Sequence, residues 1–301
     1  MPLIGHPHSL RSLAITLAYD GTAYHGFQVQ SASHGPTIQG ILEKVWHRLF
    51  GETIRVTPAG RTDAGVHAAG QVVSFRTGVR IPTMKVGKAM NSLLPRDIRV
   101  LEVWETEPDF SARFDACWKR YDYWVDNRPV PDVFCRRWAH HVTMPLDVEA
   151  MRREAQVLVG HHNFRAFAAS HGSGRTYERT LSHCQVFSET QGVARQRLPE
   201  ERKLIKISFV GDGFLYNMVR IMAGTLVGCG KGHVGGRMLE EGAEVMETVL
   251  ASRDRTRAGD TLPPHGLLLA HVEYQGRRPS AVFDDLPVSE WEESISVPRS
   301  S

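Results

Sequence analysis

Apolar residues along this chain recur at two different spacings, every second residue in some segments and about every 3.6 residues in others. The first strand carries on one face Leu13, Ile15, Leu17 and Tyr19. Residues 38–49 follow the helical spacing, with Thr37 placed as N-cap and Gly51 closing the helix. The same patterns predict strands at 71–75, 98–104, 119–125, 180–187, 204–209 and 267–274, and helices at 84–94, 148–159, 215–227 and 239–250.

The order of these elements indicates the fold class. Strands are separated sometimes by helices and sometimes by turns alone, which favours an α+β fold with mixed, mainly antiparallel sheets over strict β-α-β winding. We expect two similar halves, residues 11–126 and 140–275, flanked by helices, with an active-site cleft between them. The polar segment 188–203 is expected to be an exposed loop and 276–301 a disordered tail. The glycine-rich segment 224–232 does not fit a phosphate-binding P-loop and is predicted to be a tight helix end.

Composition excludes several classes of protein. The 301 residues carry a formal charge of only +3, too little for a protein that binds nucleic acid through bulk charge. The four cysteines form no C-x-x-C pair, and His140-His141 and His161-His162 are adjacent pairs whose side chains point in different directions, so no metal site is expected. No apolar run approaches the roughly 18 residues of a membrane span, and no secretory signal opens the chain. We therefore expect a cytoplasmic protein without a membrane anchor.

The segment with the most chemical information is Ala59-Gly60-Arg61-Thr62-Asp63-Ala64-Gly65-Val66-His67-Ala68. Two glycines flank a cation, a hydroxyl and a carboxylate, and glycine allows close approach of another backbone. A solvated turn with an Arg61–Asp63 ion pair is one interpretation. The apolar residues that follow favour a loop that packs inward and partly shields Asp63 from water. A shielded carboxylate must be paired, or it takes up a proton.

Six separated motifs, in order and at matching spacing, resemble the tRNA pseudouridine synthase A family. They are Tyr19-Asp20-Gly21-Thr22; Thr37-Ile38-Gln39-Gly40; the loop from Ala59 to Ala68; Lys119-Arg120-Tyr121-Asp122-Tyr123; Asp212-Gly213-Phe214-Leu215 with Met218-Val219-Arg220; and Ala258-Gly259 with Pro263 and Gly266-Leu267. The resemblance extends from about residue 13 to residue 274. It implies the pseudouridine synthase fold and an isomerase that converts uridine to pseudouridine without a cofactor.

The same resemblance assigns roles to five residues. It makes Asp63 the catalytic nucleophile, a carboxylate that can attack an electrophilic carbon and leave again as a stable anion. Arg220 would pair with Asp63 and keep it charged. Arg61 would contact the RNA and help to bring out the target nucleotide. Tyr121 would stack on the extracted base, and Leu267 would supply an apolar wall.

Each of the supporting residues also has a purely structural interpretation. Tyr121 stands two residues from Tyr123 on a strand, and core packing explains such a pair equally well. Arg220 lies on a predicted helix, where an arginine is usually solvated or caps the helix end. Leu267 would serve simply as a core residue of the last strand.

By resemblance the substrate is tRNA, modified at positions 38 to 40 of the anticodon arm by a homodimer. A base inside a paired region must leave the stack to be modified, and the surrounding RNA is then recognised through shape and phosphates. Eight cations are candidates for phosphate contact, and their order of importance stays open: Lys85, Lys88, Arg113, Lys119, Arg120, Arg165, Arg175 and Arg179.

Two alternatives belong to other functional classes. One is an RNA-binding or RNA-chaperone protein on the same fold without turnover. The other is a small-molecule hydrolase that uses Asp63 and His67 as acid and base. The pattern of motifs favours the isomerase over both.

Overall fold

The computed structural model describes residues 10–29, 35–169, 176–189, 203–240 and 244–275. The predicted tail at 276–301 lies outside these ranges, as do the predicted loop at 188–203 apart from its ends and the candidate cation Arg175. Within the described ranges, no helix is long and apolar enough to cross a bilayer.

The chain forms strands and helices in the alternating order that the hydrophobic spacing predicts. The strands are β1 Arg11–Tyr19, β2 Thr57–Pro58, β3 His67–Thr77, β4 Ile98–Thr106, β5 Ala116–Asn127, β6 His140–His141, β7 Gly160–Asn163, β8 Glu178–Glu189, β9 Lys203–Gly211, β10 His233–Val234, β11 Arg237–Met238 and β12 Leu267–Tyr274. The helices are α1 Ile38–Phe50, α2 Thr83–Leu93, α3 Val148–Val157, α4 Met218–Lys231 and α5 Val245–Ser252. The short strands β2, β6, β7, β10 and β11 carry too few residues for the spacing to reveal them.

One continuous sheet runs through both parts of the chain. Its strands lie in the order β4-β1-β3-β12-β5-β9-β8-β7, with β2 paired to β3 and β6 to β5. Only β12 with β3 and β5 with β6 are parallel pairs in this sheet as described, which confirms a mixed, mainly antiparallel α+β fold. The last strand therefore lies between β3 and β5, two strands of the expected first half. The division into halves at 126 and 140 stays a prediction.

Direct pairing across four strands defines the face of the sheet that matters for function. Tyr19 on β1 is opposite Ala68 on β3, Ala68 is opposite Leu269 on β12, and Leu269 is opposite Tyr121 on β5. Directly paired residues point to the same face. Tyr19 and Tyr121 therefore share a face, although about a hundred residues separate them in sequence.

Helix α1 has the boundaries that its local signals predict. The Thr37 side chain accepts a hydrogen bond from the Gly40 amide at its start, and Gly51 ends it in the left-handed conformation with φ 68°. The Trp46 ring on its inner side packs 4.7 Å from the Phe75 ring of β3. A capping residue, a terminal glycine and an apolar stripe are all short-range features, which is why the sequence alone locates this helix.

Helix α4 differs from its prediction at both ends. It begins at Met218 rather than at Leu215, after Asn217 in the left-handed conformation. It continues to Lys231 and ends only at Gly232, so the interpretation of 224–232 as a helix end was wrong over most of its length. Glycine stands inside the helix because a neighbouring segment passes close by. A Cβ at Gly224 would lie 1.9 Å from the Asp260 carbonyl oxygen.

Candidate active site

The loop that precedes β3 is held in place by hydrogen bonds on its inner side. The Thr62 carbonyl accepts from the Phe27 amide at 3.0 Å, and its hydroxyl lies 2.8 Å from that of Tyr19. The Gln71 amide group donates to the Gly60 carbonyl at 2.7 Å, and Gln71 is fully buried. The carboxylate of Asp63 is therefore carried on a backbone that is fixed on either side of it.

His67 fastens the end of the same loop to two other segments. Its Nδ1 accepts from the Gly21 amide at 3.0 Å, and its Nε2 lies 3.2 Å from the His265 carbonyl oxygen. The residue is buried, and burial lowers its pKa, although the Asp20 carboxylate, 3.2 Å from Nδ1, acts in the opposite direction. Because both ring nitrogens are engaged by the main chain, His67 is poorly placed for the acid–base role that a hydrolase would require.

Asp63 faces one cation, Arg220 at the start of α4. The nearest oxygen and nitrogen atoms are 3.5 Å apart, longer than a strong charge-assisted hydrogen bond. The guanidinium is fixed by closer contacts, from Nε to the Leu262 carbonyl at 2.6 Å and from Nη1 to the Asn217 side chain at 2.9 Å. The left-handed turn at Asn217 places this amide beside the arginine.

The electrostatic balance at Asp63 opposes ionisation. Burial raises the pKa of Asp63 above its usual value, and the charge and hydrogen bonding of Arg220 offset only part of that rise. The side chain is 35% exposed, so solvent and substrate can reach it. The result is an accessible carboxylate with a perturbed pKa, a combination that is common at functional sites.

Tyr121 lies on the same face of the sheet with its hydroxyl toward the loop. Its ring meets that of Phe214 edge-on at 5.1 Å, and a Cβ at Gly60 would stand 3.3 Å from its hydroxyl oxygen. That hydroxyl makes no hydrogen bond to any residue that the structure describes. Burial, and then the neighbouring Tyr19 and Asp63, raise the pKa of Tyr121 well above its usual value. Tyr121 therefore stays protonated.

The two remaining candidates occupy different surroundings. Arg61 is exposed and forms no hydrogen bond or ion pair with the described part of the chain, so its side chain is available to a partner. Leu267 is 6% exposed. It lies on β12 opposite Tyr123 of β5, and Tyr123 is two residues from Tyr121 on the same face of that strand. The structure brings Asp63, Arg220 and Tyr121 to one site, with Leu267 on its sheet wall and Arg61 at its rim.

Comparison with known proteins identifies the family of this chain. The family described as tRNA pseudouridine synthase matches residues 15–115 and 155–275. The chain belongs to this family.

Three relatives show how far the likeness to individual synthases extends. The tRNA pseudouridine synthase A of Moorella thermoacetica is 47% identical over 262 residues, covering 87% of this chain and 99% of that protein. That of Syntrophomonas wolfei is 45% identical, covering 87% and 97%. That of Brevibacillus brevis is 42% identical, covering 88% and 100%. The resemblance inferred from the six motifs is thereby confirmed.

Several residues that build this synthase-family site were not expected from the sequence. Gln71 is a polar residue inside an apolar strand, and that mismatch was the available signal. His67 stood within the quoted loop, yet its two main-chain partners lie 46 and 198 residues away. No local pattern announces such contacts. Across the described ranges, no group of three or more metal-ligating side chains is gathered in one place.

Proposed function

We propose that this chain is a tRNA pseudouridine synthase that isomerises uridine to pseudouridine in the anticodon stem-loop, at positions 38 to 40. Membership of the family supports tRNA pseudouridylation. The observation that carries the assignment to this site is the meeting of Asp63, Arg220 and Tyr121, from three distant segments, around an accessible carboxylate.

The reaction breaks the bond between N1 of uracil and C1′ of ribose and forms a bond between C5 and C1′, after which C5 loses its proton. No atom is gained or lost overall except that exchanged proton, so neither an oxidant nor a cofactor is needed. Asp63 acts as the nucleophile, and attack on C6 of the base or on C1′ of the sugar starts from the same ionised carboxylate. The carboxylate then departs as a stable anion.

Arg220 keeps enough of Asp63 ionised for this chemistry. Its charge is the main influence that lowers the Asp63 pKa against the effect of burial. Because two further hydrogen bonds fix the guanidinium, it cannot swing away to solvent when the substrate enters. Arg220 is therefore proposed to set the protonation state of the nucleophile.

Tyr121 and Leu267 receive the base, and Arg61 contacts the RNA from the rim. Removal of a nucleotide from a stacked helix costs a few kcal/mol, which stacking in an aromatic and apolar pocket repays. The raised pKa of Tyr121 means that its hydroxyl is a hydrogen-bond donor rather than a phenolate base. Stacking is its main proposed contribution.

The remaining elements of the proposal concern assembly and location. We infer that the enzyme works in the cytoplasm as a homodimer, with tRNA lying across both subunits. A whole anticodon arm is larger than the site around Asp63, so the proposal places part of the tRNA on each subunit.

The decisive experiment incubates the full chain with a tRNA transcript that carries uridine labelled with tritium at C5. Release of tritium, together with pseudouridine mapped to positions 38 to 40, is the expected result. Transcripts with cytidine at one of these positions identify which uridines react. If the protein binds tRNA yet releases no tritium, the RNA-chaperone alternative holds and the enzyme assignment is overturned.

A further inference from the structure

Lys119 lies beside the site without touching the reacting carboxylate. It precedes Tyr121 by two residues on β5, so both side chains point to the same face, about 7 Å apart along the strand. The Lys119 stem flanks the catalytic loop, since its Cδ and Cε atoms would lie 3.8 and 3.9 Å from a Cβ at Gly60. Lys119 and Tyr121 thus stand next to each other along one side of the loop.

No carboxylate of the described residues is in direct contact with the Lys119 ammonium. The residue is half-buried, yet it donates no hydrogen bond and forms no ion pair within the ranges that the structure describes. Lysine is rarely withdrawn from water unless it is paired. Within the described residues, the partly buried Lys119 ammonium is therefore available to a negatively charged group of the RNA.

The surroundings of Lys119 are cationic. Burial lowers the pKa of Lys119, Asp212 acts in the opposite direction, and Arg113 and Arg179 lower it further. Asp212 is already engaged, because its side chain accepts a hydrogen bond from the Thr180 amide. Three cations and one occupied carboxylate leave a net positive charge on this part of the surface.

The geometry distinguishes this cluster from the neighbouring arginine. Arg120 points to the opposite face of β5 and makes two hydrogen bonds to Asp122, at 2.9 and 2.8 Å. Its charge is therefore neutralised inside the protein. Among the candidates for phosphate contact that the structure describes, Lys119 is the one that combines a place beside Tyr121 with no ion pair to another described residue.

We propose that Lys119, assisted by Arg113 and Arg179, binds a backbone phosphate of the RNA next to the nucleotide that stacks on Tyr121. This inference rests on the proposed function, since Tyr121 must hold a base for a phosphate to lie here. A lysine binds phosphate as a compact point charge, which suits a site that must accept the backbone while the nucleotide turns out of the helix. Lys119 would position the substrate and take no part in the bond changes.

The first test measures tRNA binding over a series of salt concentrations for Lys119→Gln, Lys119→Arg and a matched control, Lys44→Gln. Lys44 is exposed on α1, and its change removes the same charge. We expect Lys119→Gln to bind about tenfold more weakly, the loss of one charge-assisted contact. Its salt slope should fall by about 0.7 to 0.9, the value for one phosphate. Lys119→Arg should restore both quantities, and Lys44→Gln should match the unmodified protein.

The second test locates the phosphate. Anticodon stem-loop RNAs that carry one neutral methylphosphonate at successive positions are bound to the unmodified protein and to Lys119→Gln. One position should weaken binding to the unmodified protein and have no further effect on the variant, because the two partners are then already separated. Should Lys119→Gln fail to fold, Arg179→Gln is tested against the same RNAs.

The possible failures are distinguishable. Unchanged affinity and salt slope in Lys119→Gln, or equal losses at every methylphosphonate in both proteins, would overturn the phosphate site while pseudouridine formation continues. Absence of pseudouridine from the unmodified protein would instead overturn the proposed function itself.

Discussion

Two aspartates near the site each have an arginine beside them. Asp20 lies in the turn after β1, and Asp63 lies in the loop before β3. They differ in their hydrogen bonds and in the direction of their pKa shifts. Asp20 accepts hydrogen bonds from the Thr22 amide at 3.0 Å and the Thr22 hydroxyl at 2.6 Å, and it forms an ion pair with Arg137. Within the described ranges, the Asp63 carboxylate has only the 3.5 Å contact with Arg220.

The pKa values move in opposite directions for this reason. At Asp20, burial raises the pKa, but the two Thr22 hydrogen bonds and the electrostatic effects of His67 and Arg137 outweigh it, and the pKa is lowered. At Asp63 burial prevails and the pKa is raised. An arginine nearby therefore does not identify a structural ion pair. The number of hydrogen bonds that fill the carboxylate lone pairs decides whether it stabilises the fold or remains free to react.

The largest expected effect is a loss of turnover when Asp63, but not Asp20, is replaced by asparagine. Asp63→Asn should reduce turnover at least about a thousandfold, as loss of a nucleophile does, and leave the free energy of unfolding within about 1 kcal/mol because solvent screens this side chain. Asp20→Asn should lower that free energy by about 1 to 3 kcal/mol and retain turnover. Urea unfolding and tritium release measure both quantities. The contrast fails if Asp20→Asn is the inactive, fully stable variant.

A glycine in each region gives the next largest effect. A Cβ at Gly21 would lie 1.9 Å from the Val66 carbonyl oxygen, whereas one at Gly60 would meet the Tyr121 hydroxyl at 3.3 Å. Gly21→Ala should therefore lower the free energy of unfolding by about 2 to 4 kcal/mol because backbone must move. Gly60→Ala should stay within about 1 kcal/mol of the unmodified protein but lower kcat/KM several-fold. Equal stability losses in the two variants would show that the loops are equally rigid.

Arg220→Gln sharpens the comparison through pH. Without the cation the pKa of Asp63 rises further, so the fraction ionised at a given pH falls. The acid limb of the kcat/KM profile should move to higher pH, with a loss of about tenfold or more at neutral pH. Arg220→Lys keeps the charge, and its acid limb should lie closer to that of the unmodified protein. An unmoved limb in Arg220→Gln would mean that the arginine does not control Asp63.

The smallest effect is the pH dependence of stability. Because the folded-state pKa of Asp20 is lowered, its stabilisation is present above the unfolded pKa of about 3.9 and is lost as pH falls through the folded value. The stability deficit of Asp20→Asn should shrink on acidification below about pH 4. Asp63 has the opposite sign, since its ionised form opposes folding as pH rises through its raised pKa. Urea unfolding at several pH values tests whether the two slopes differ in sign.

The sequence predicts the local features of the fold well. Cap, apolar stripe and terminal glycine all lie within α1 or next to it, and the strand at 267–274 was located because alternation is also a short-range property. The bounds of α4 were predicted wrongly because its glycines are needed where Asp260 and other residues outside the helix pass close to it. The sequence of the helix does not show such contacts. The position of β12 between β3 and β5 depends on pairings across some two hundred residues, which no spacing encodes.

In the candidate site, too, the sequence indicates the residues but not their long-range contacts. Motif resemblance brought Asp63, Tyr121 and Arg220 to attention, and the coordinates place them together. The sequence did not show that Arg61 makes no ion pair with another described residue, or that both nitrogens of the His67 ring are engaged, because both depend on how remote segments meet. It also suggested a firmly paired Asp63, whereas the 3.5 Å contact and the raised pKa describe a weaker pairing.

The insertion of β12 into the middle of the sheet has a consequence for how the enzyme matures during translation. A nascent chain that has grown to residue 260 already contains Asp63, Tyr121 and Arg220. It still lacks the Leu262 carbonyl that orients the guanidinium and the strand that unites the sheet. The Arg220 contact with Leu262 and the central strand of the sheet therefore both depend on residues 262–274, which leave the ribosome after Asp63, Tyr121 and Arg220.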